Sequence, residues 1–395
     1  MAPSRARIRS GRLLVALLVA SGVLVWTPAG SAARASRASG SAVGRPTLVD
    51  VSWPSPQVGW ALATHPCPPG TCPVLMRTRD GGRTWRAAST PPTAVAPACL
   101  ISSASCVSQI RFASARVGYL VGPALWLTTD GGRSWQRVRG PYTETLGVVG
   151  TSVDRVAYHQ VGCPGPCAPT LQVAALGSRR WRTVDRRLLP PDRSSTAQIV
   201  ATRGASVLAL FGSQAGPVSA HAAVVVIGRG TWRNTTDPCA RYDAATRREQ
   251  DLVSLAADAR TVVGLCTPHD QSGGAFVVAS RDGARTWVRS TEVAGRGVFG
   301  AVAVASPTTM VVATPLTFVG SSEYRARLVA SFDAGRRWRV VVTIMTSVGT
   351  DPQIPSAVGF SSARDGWWLA GPHALELTRD GGHTWMRAGA FPRLG

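Results

Sequence analysis

The sequence predicts an all-β chain, a seven-bladed β-propeller of four-stranded antiparallel blades, and three observations carry that prediction. The first is a Trp that follows a tight polar turn seven times, as in Thr78-Arg-Asp-Gly-Gly-Arg-Thr-Trp85, with successive Trp residues 50, 46, 51, 55, 51 and 47 apart. A strand-rich unit recurring every 40–50 residues or so is the mark of a propeller. The second is that each unit divides into four short apolar runs, here strands A to D, separated by turn formers. The third is a Gly-Trp or Gly-Tyr pair opening strand B: Gly59-Trp60, Gly118-Tyr119 and Gly366-Trp367.

Element by element, residues 1–33 read as a secretory signal peptide. Arg5, Arg7, Arg9 and Arg12 precede the apolar run Leu13 to Trp26, and small residues follow at Gly30-Ser-Ala-Ala33. The run is short for a membrane span, and an uncleaved anchor is the second reading. Residues 34–46 carry few bulky apolar groups and form a flexible linker. Residues 47–395 form the propeller, with blades near 47–90, 107–140, 144–187, 196–236, 250–293, 297–345 and 353–391. In the first blade the strands are Leu48–Trp53, Gly59–Thr64, Val74–Thr78 and Thr84–Ala88. In the last they are Ile354–Phe360, Gly366–Ala370, Ala374–Thr378 and Thr384–Ala388. The chain thus starts on a strand A and ends on a strand D, which leaves two alternatives open: packing between the first and last blades alone closes the ring, or the first strand is assigned wrongly. A monomer is expected.

The turn between strands C and D has its own chemistry. Asp80, Asp130, Asp282, Asp333 and Asp380 are placed to accept hydrogen bonds from turn amides, and the Gly residues permit positive φ. The Trp then opens strand D and wedges apolar area between blades. Two further copies, ending in Trp181 and Trp232, have lost the Asp. This turn resembles the Asp-box, or bacterial neuraminidase repeat. Together with the Gly-Trp/Tyr pair, the chain is most similar to propellers related to photosystem II assembly and stability factors. The resemblance implies that the five Asp are structural and that the turns lie on the face away from the ligand.

Net charge is +22, and all 43 basic residues are Arg. A field of that sign favours polyanions. The export signal argues against nucleic acid, leaving a protein partner or an anionic glycan or envelope polymer. The expected location is secreted or extracytoplasmic, associated with the cell envelope.

If C–D turns occupy one face, the B–C and D–A connections occupy the other. All eight Cys map to that loop face, in even number, in a chain read as exported. Four disulfides are expected, Cys67–Cys72, Cys99–Cys106, Cys163–Cys167 and Cys239–Cys266, stiffening the loops. Cys67 and Cys72 with His65, or Cys266 with His269, lack zinc-knuckle spacing, so no metal and no cofactor are expected.

The same face holds the candidate ligand contacts Arg241, Tyr242, Arg247, Arg248, His269, Tyr324 and Arg325. Arg forks pair with carboxylate or phosphate and stack on planar groups. The resemblance to sialidases raises a glycoside hydrolase as the alternative. Its Arg-Ile-Pro motif is absent, and Glu323-Tyr324, read as lying in the B–C loop of the sixth blade, is the one local nucleophile cluster. Asp243, Glu249, Asp251, Asp270 and Asp351 are the carboxylates from which a two-acid site would be drawn. The preferred reading is a non-catalytic binding propeller.

Overall fold

The computed structural model describes residues 44–394 apart from 69, 97–105, 159–169, 186–195, 203–204, 212–222, 228–231, 236, 247–248, 271–273, 294–299, 316, 321–322 and 348–356. The expected signal peptide, Cys99, Cys163, Cys167, Arg247, Arg248 and Asp351 lie outside the described residues.

The strands come in consecutive antiparallel sheets. Strands β1–β4 are Thr47–Ser52, Gly59–Cys67, Gly70–Thr78 and Arg86–Ser89. Strands β5–β8 are Gln109–Phe112, Gly118–Val121, Leu125–Thr128 and Gln136–Val138. Strands β9–β12 are Tyr142–Val149, Ser152–Tyr158, Thr170–Ala175 and Arg182–Asp185. Strands β13–β16 are Thr196–Thr202, Ala205–Phe211, Ala223–Ile227 and Trp232–Thr235. Strands β17–β20 are Gln250–Ala257, Val262–Pro268, Phe276–Ser280 and Val288–Glu292. Strands β21–β25 are Ala301–Ser306, Thr309–Ala313, Thr317–Gly320, Glu323–Ser331 and Arg339–Ser347. Strands β26–β29 are Ala357–Phe360, Gly366–Gly371, Ala374–Thr378 and Met386–Arg387.

The expectation of seven four-stranded blades is corrected here. Six sheets have four strands, and residues 301–347 fold as a five-stranded sheet instead. The cause is local. The Thr314 amide still continues the ladder to Arg327 O on β24, and the second strand of that sheet is interrupted at Pro315, which has no N–H to donate. The chain then resumes as β23 along the same neighbour, β24. Glu323 and Tyr324, expected in a loop, are therefore strand residues.

Innermost strands pack side by side, stitched by short polar side chains. The Ile110 amide donates to Asp50 Oδ2 at 2.8 Å, and Phe112 N to Ser52 Oγ at 2.7 Å. Leu255 N donates to Gln198 Oε1 at 2.7 Å, and Val302 N to Ser254 Oγ at 3.2 Å. Each bond satisfies a backbone donor that no inter-blade ladder reaches.

Apolar seams fill the space between sheets. Trp60, fully buried, stacks on Phe112 of the next sheet at 3.7 Å between ring centroids, and Trp135 meets the far edge of Phe112 at 6.3 Å. Tyr119 and Trp181 share the following seam, and Trp85 and Trp367 share the seam joining the last sheet to the first. A described seam of this kind takes the Gly-Trp/Tyr aromatic from one sheet and the turn Trp from the next. Trp232 opens β16, but its side chain is outside the described set.

Among the described residues no strand crosses to close the ring. The first and last sheets meet through Leu48, Val51, Met76, Leu369 and Leu377, with Phe391 on Trp85. Gly389 N donates to Gly82 O at 2.8 Å, and Gly44 bridges Leu394.

Candidate functional site

Each of the five turn carboxylates closes its own turn. Thr84 N and Thr84 Oγ1 donate to Asp80 at 2.9 and 2.6 Å, while Thr78 Oγ1 donates to Asp80 and accepts from Gly82 N. Asp130, Asp282 and Asp380 repeat the pattern with Ser134, Thr286 and Thr384. Asp333 receives Arg337 N at 2.9 Å. Hydrogen bonds from the Ser134 hydroxyl and amide hold Asp130 at about 2. At Asp380 burial opposes ionisation, yet the bonds from Thr384 and Thr378 still hold it at about 2. Carboxylates so engaged stay ionised at neutral pH.

The loop face carries two disulfides, Cys67–Cys72 and Cys239–Cys266, the pairings expected from sequence. Cys106 is also disulfide-bonded. Beside Cys239 a 3-10 turn, Ala240–Tyr242, runs into the short helix α1, Asp243–Thr246. Tyr242 is half-buried there, edge-on to Phe276 at 5.4 Å, with its hydroxyl toward Trp287 O. Arg241 stays exposed with its guanidinium 5.5 Å from the Tyr242 ring. Tyr242 is thus a packing residue, and Arg241 is the part of the pair that reaches solvent.

Glu249, Asp251 and His269 converge at the mouth of the same sheet. Three ligand atoms, one from each, lie within 4.8 Å of one another, the one such grouping of metal-ligating side chains among the described residues. His269 Nδ1 is 2.8 Å from Asp251 Oδ2, and that bond and the Asp251 charge raise the His269 pKa. Buried Glu249 Oε1 has no hydrogen-bond partner among the described residues. Such a donor set suits a cation with oxygen and imidazole ligands. Sequence reading singled out these residues for separate reasons; that they converge follows from pairing Gln250 on β17 with Pro268 on β18.

The third group lies on the five-stranded sheet. β24 outruns β21 and β22, and β23 and β25 flank its far end. Among the described residues β23 pairs with β24 alone, so its other edge is open. Phe318 is 60% exposed, Val319 40% and Met345 50%, and Phe318 meets Tyr324 edge-on at 5.5 Å. Arg325 sits in register with Thr317. Glu323 and Tyr324 are successive strand residues and project to opposite faces, so they do not form a joint nucleophile.

The whole-chain architecture is shared with known propellers. YCF48 from Cyanidioschyzon merolae matches at a TM-score of 0.53 with 16% identity, over 85% of this chain and 96% of that one. A structure described as YCF48 bound to D1 peptide matches at 0.51 with 16% identity, over 85% and 93%. The β-propeller domain of the Trilobed protease from Pyrococcus furiosus, described as having an open velcro topology, matches at 0.51 with 9% identity, over 87% and 95%. The Niastella koreensis GH74 enzyme matches at 0.45 with 12% identity, over 87% of this chain and 65% of that one. No protein-family model matches the chain, and no curated protein matches it. The fold by itself leaves catalysis undetermined.

Proposed function

We propose that this chain is an exported, non-catalytic propeller that holds an extended segment of a partner protein on its loop face. The observation that carries the reading is the edge of β23 that pairs with no strand among the described residues, flanked by exposed Phe318 and by Tyr324 and Arg325. An extended peptide adds to such an edge through main-chain bonds, and flanking side chains select it. Aromatic and Arg side chains are the usual anchors of binding surfaces. YCF48, a protein of the same fold, has been solved with a bound peptide, which supports a protein partner over a small substrate. The Arg-rich leader-like N-terminus and the two disulfides support an oxidising, extracytoplasmic location. An anionic envelope polymer remains the other partner that the +22 charge favours.

The test is selection from a random dodecapeptide library with the oxidised chain, followed by titration of the recovered peptides. Phe318→Asp and Arg325→Ala should each weaken binding about tenfold or more with unchanged melting. Peptides that bind both variants as they bind the parent, or a library that yields none, would defeat the reading.

A hydrolase reading rests on the convergence of Glu249 and Asp251. Turnover of fluorogenic glycosides that disappears in Glu249→Gln would establish it and displace the binding reading.

A further inference from the structure

On the opposite face, a cleft of about 480 Å³ opens between the C–D turns of the first two sheets. Its walls carry four guanidinium groups, Arg77, Arg79, Arg86 and Arg133, against one carboxylate, Asp80. That carboxylate is already engaged by Thr78 and Thr84. Among the described residues none of the four Arg has an ion-pair partner.

The arrangement departs from the other seams in an informative way. Arg281 and Arg379 occupy the same turn position as Arg79, and each reaches a carbonyl of the next sheet, Arg281 to Pro307 O and Arg379 to Pro56 O. Between the first two sheets that role passes to Arg77, which reaches Ala115 O and lies over Trp60 at 4.7 Å. Arg79 is left to line the cleft. Burial, then Arg79 and Arg133, depress the Arg77 pKa, and its buried Nε has no partner. Four like charges gathered against a single carboxylate favour an anion from outside the chain.

We propose that this cleft binds a phosphate group carried on a larger organic body. Several guanidinium forks lining one cleft suit a tetrahedral, multiply charged oxyanion, whereas a planar carboxylate accepts from one fork edge-on. The volume lies in the range of ligand pockets, about 300–1,000 Å³, leaving room for more than the oxyanion. Ala87 and Ala88 supply apolar wall for the remainder. The cleft is independent of the loop-face reading, being on the other side of the sheets.

Calorimetric titration with a glycerol-phosphate hexamer, inorganic phosphate and polyaspartate tests the proposal. The hexamer should bind with one-to-one stoichiometry and polyaspartate more weakly. The double reversal Arg79→Glu/Arg133→Glu, at exposed positions, should weaken the hexamer by tenfold or more. Inorganic phosphate binding as tightly as the hexamer would overturn the larger organic body and identify free phosphate as the ligand. Three results would overturn the proposal: unchanged affinity in the double reversal, equal affinity for polyaspartate, or an equal loss in Arg336→Glu/Arg337→Glu at a distant turn.

Discussion

Phe391 packs on Trp85 with ring centroids 4.8 Å apart, joining the C-terminal segment to the first sheet. Among the described residues no strand is shared between the first and last sheets, and this contact joins the Gly389–Gly82 hydrogen bond and the Leu48, Val51 and Leu369 seam in closing the ring. Phe391→Ala should cost about 2 kcal/mol, below the ~3–5 of a fully buried Phe because Phe391 is half-buried. Urea unfolding measures it, with Phe318→Ala, at an exposed site, as the near-neutral reference. Equal midpoints for the two variants would place ring closure elsewhere.

Acid should open the turns. Asp130 and Asp380 are held at about 2, below the ordinary value of 3.8. A depressed folded pKa stabilises the protein above the unfolded value and loses that contribution as pH falls through the folded one. Melting temperature should therefore hold near neutral pH and fall as pH drops from 3.8 toward 2. Asp130→Asn/Asp380→Asn should melt lower at pH 7 and show a shallower acid decline. Parallel curves for parent and variant would refute the linkage.

Ala334 sits at φ 61°, in a turn where other copies have Gly. A left-handed non-Gly residue costs about 1–2 kcal/mol, partly offset by the roughly 0.5–1 kcal/mol of chain entropy that Gly loses on folding. Ala334→Gly should thus stabilise the protein by about 0.5–1 kcal/mol in chemical denaturation. A destabilised variant would show that this turn bears no strain.

His269 titrates high because Asp251 hydrogen-bonds to it and attracts its charge. The pair stabilises the fold below the ordinary imidazole pKa and loses that contribution as pH rises through the raised folded value. Asp251→Asn should lower the His269 midpoint in an NMR titration of its Cε1 proton. An unmoved midpoint would mean that the 2.8 Å contact is not populated in solution.

Much of the local structure was legible because it depends on residues a few positions apart. Thr78, Asp80 and Thr84 hydrogen-bond within one turn, so the motif alone implies the geometry. Cys67 and Cys72 bridge a hairpin diagonally, in register with Gly70 and His65 respectively. The fifth strand was not legible. Thr317–Gly320 looks like loop, and only the long partner β24 makes it a strand. The grouping of Glu249, Asp251 and His269 was equally hidden, since it depends on the register between two strands.

By itself the sequence determined the all-β repeat, its turn chemistry and the positions of its aromatic wedges, because period and short-range hydrogen bonding need no distant partner. Only the tertiary structure decided which blade gained a strand, how the ring closed without a shared one, and which Arg was left over. Arg79, Arg281 and Arg379 read alike in sequence. Their roles diverge because Arg77 reaches the neighbouring carbonyl at one seam and leaves Arg79 to line a cleft.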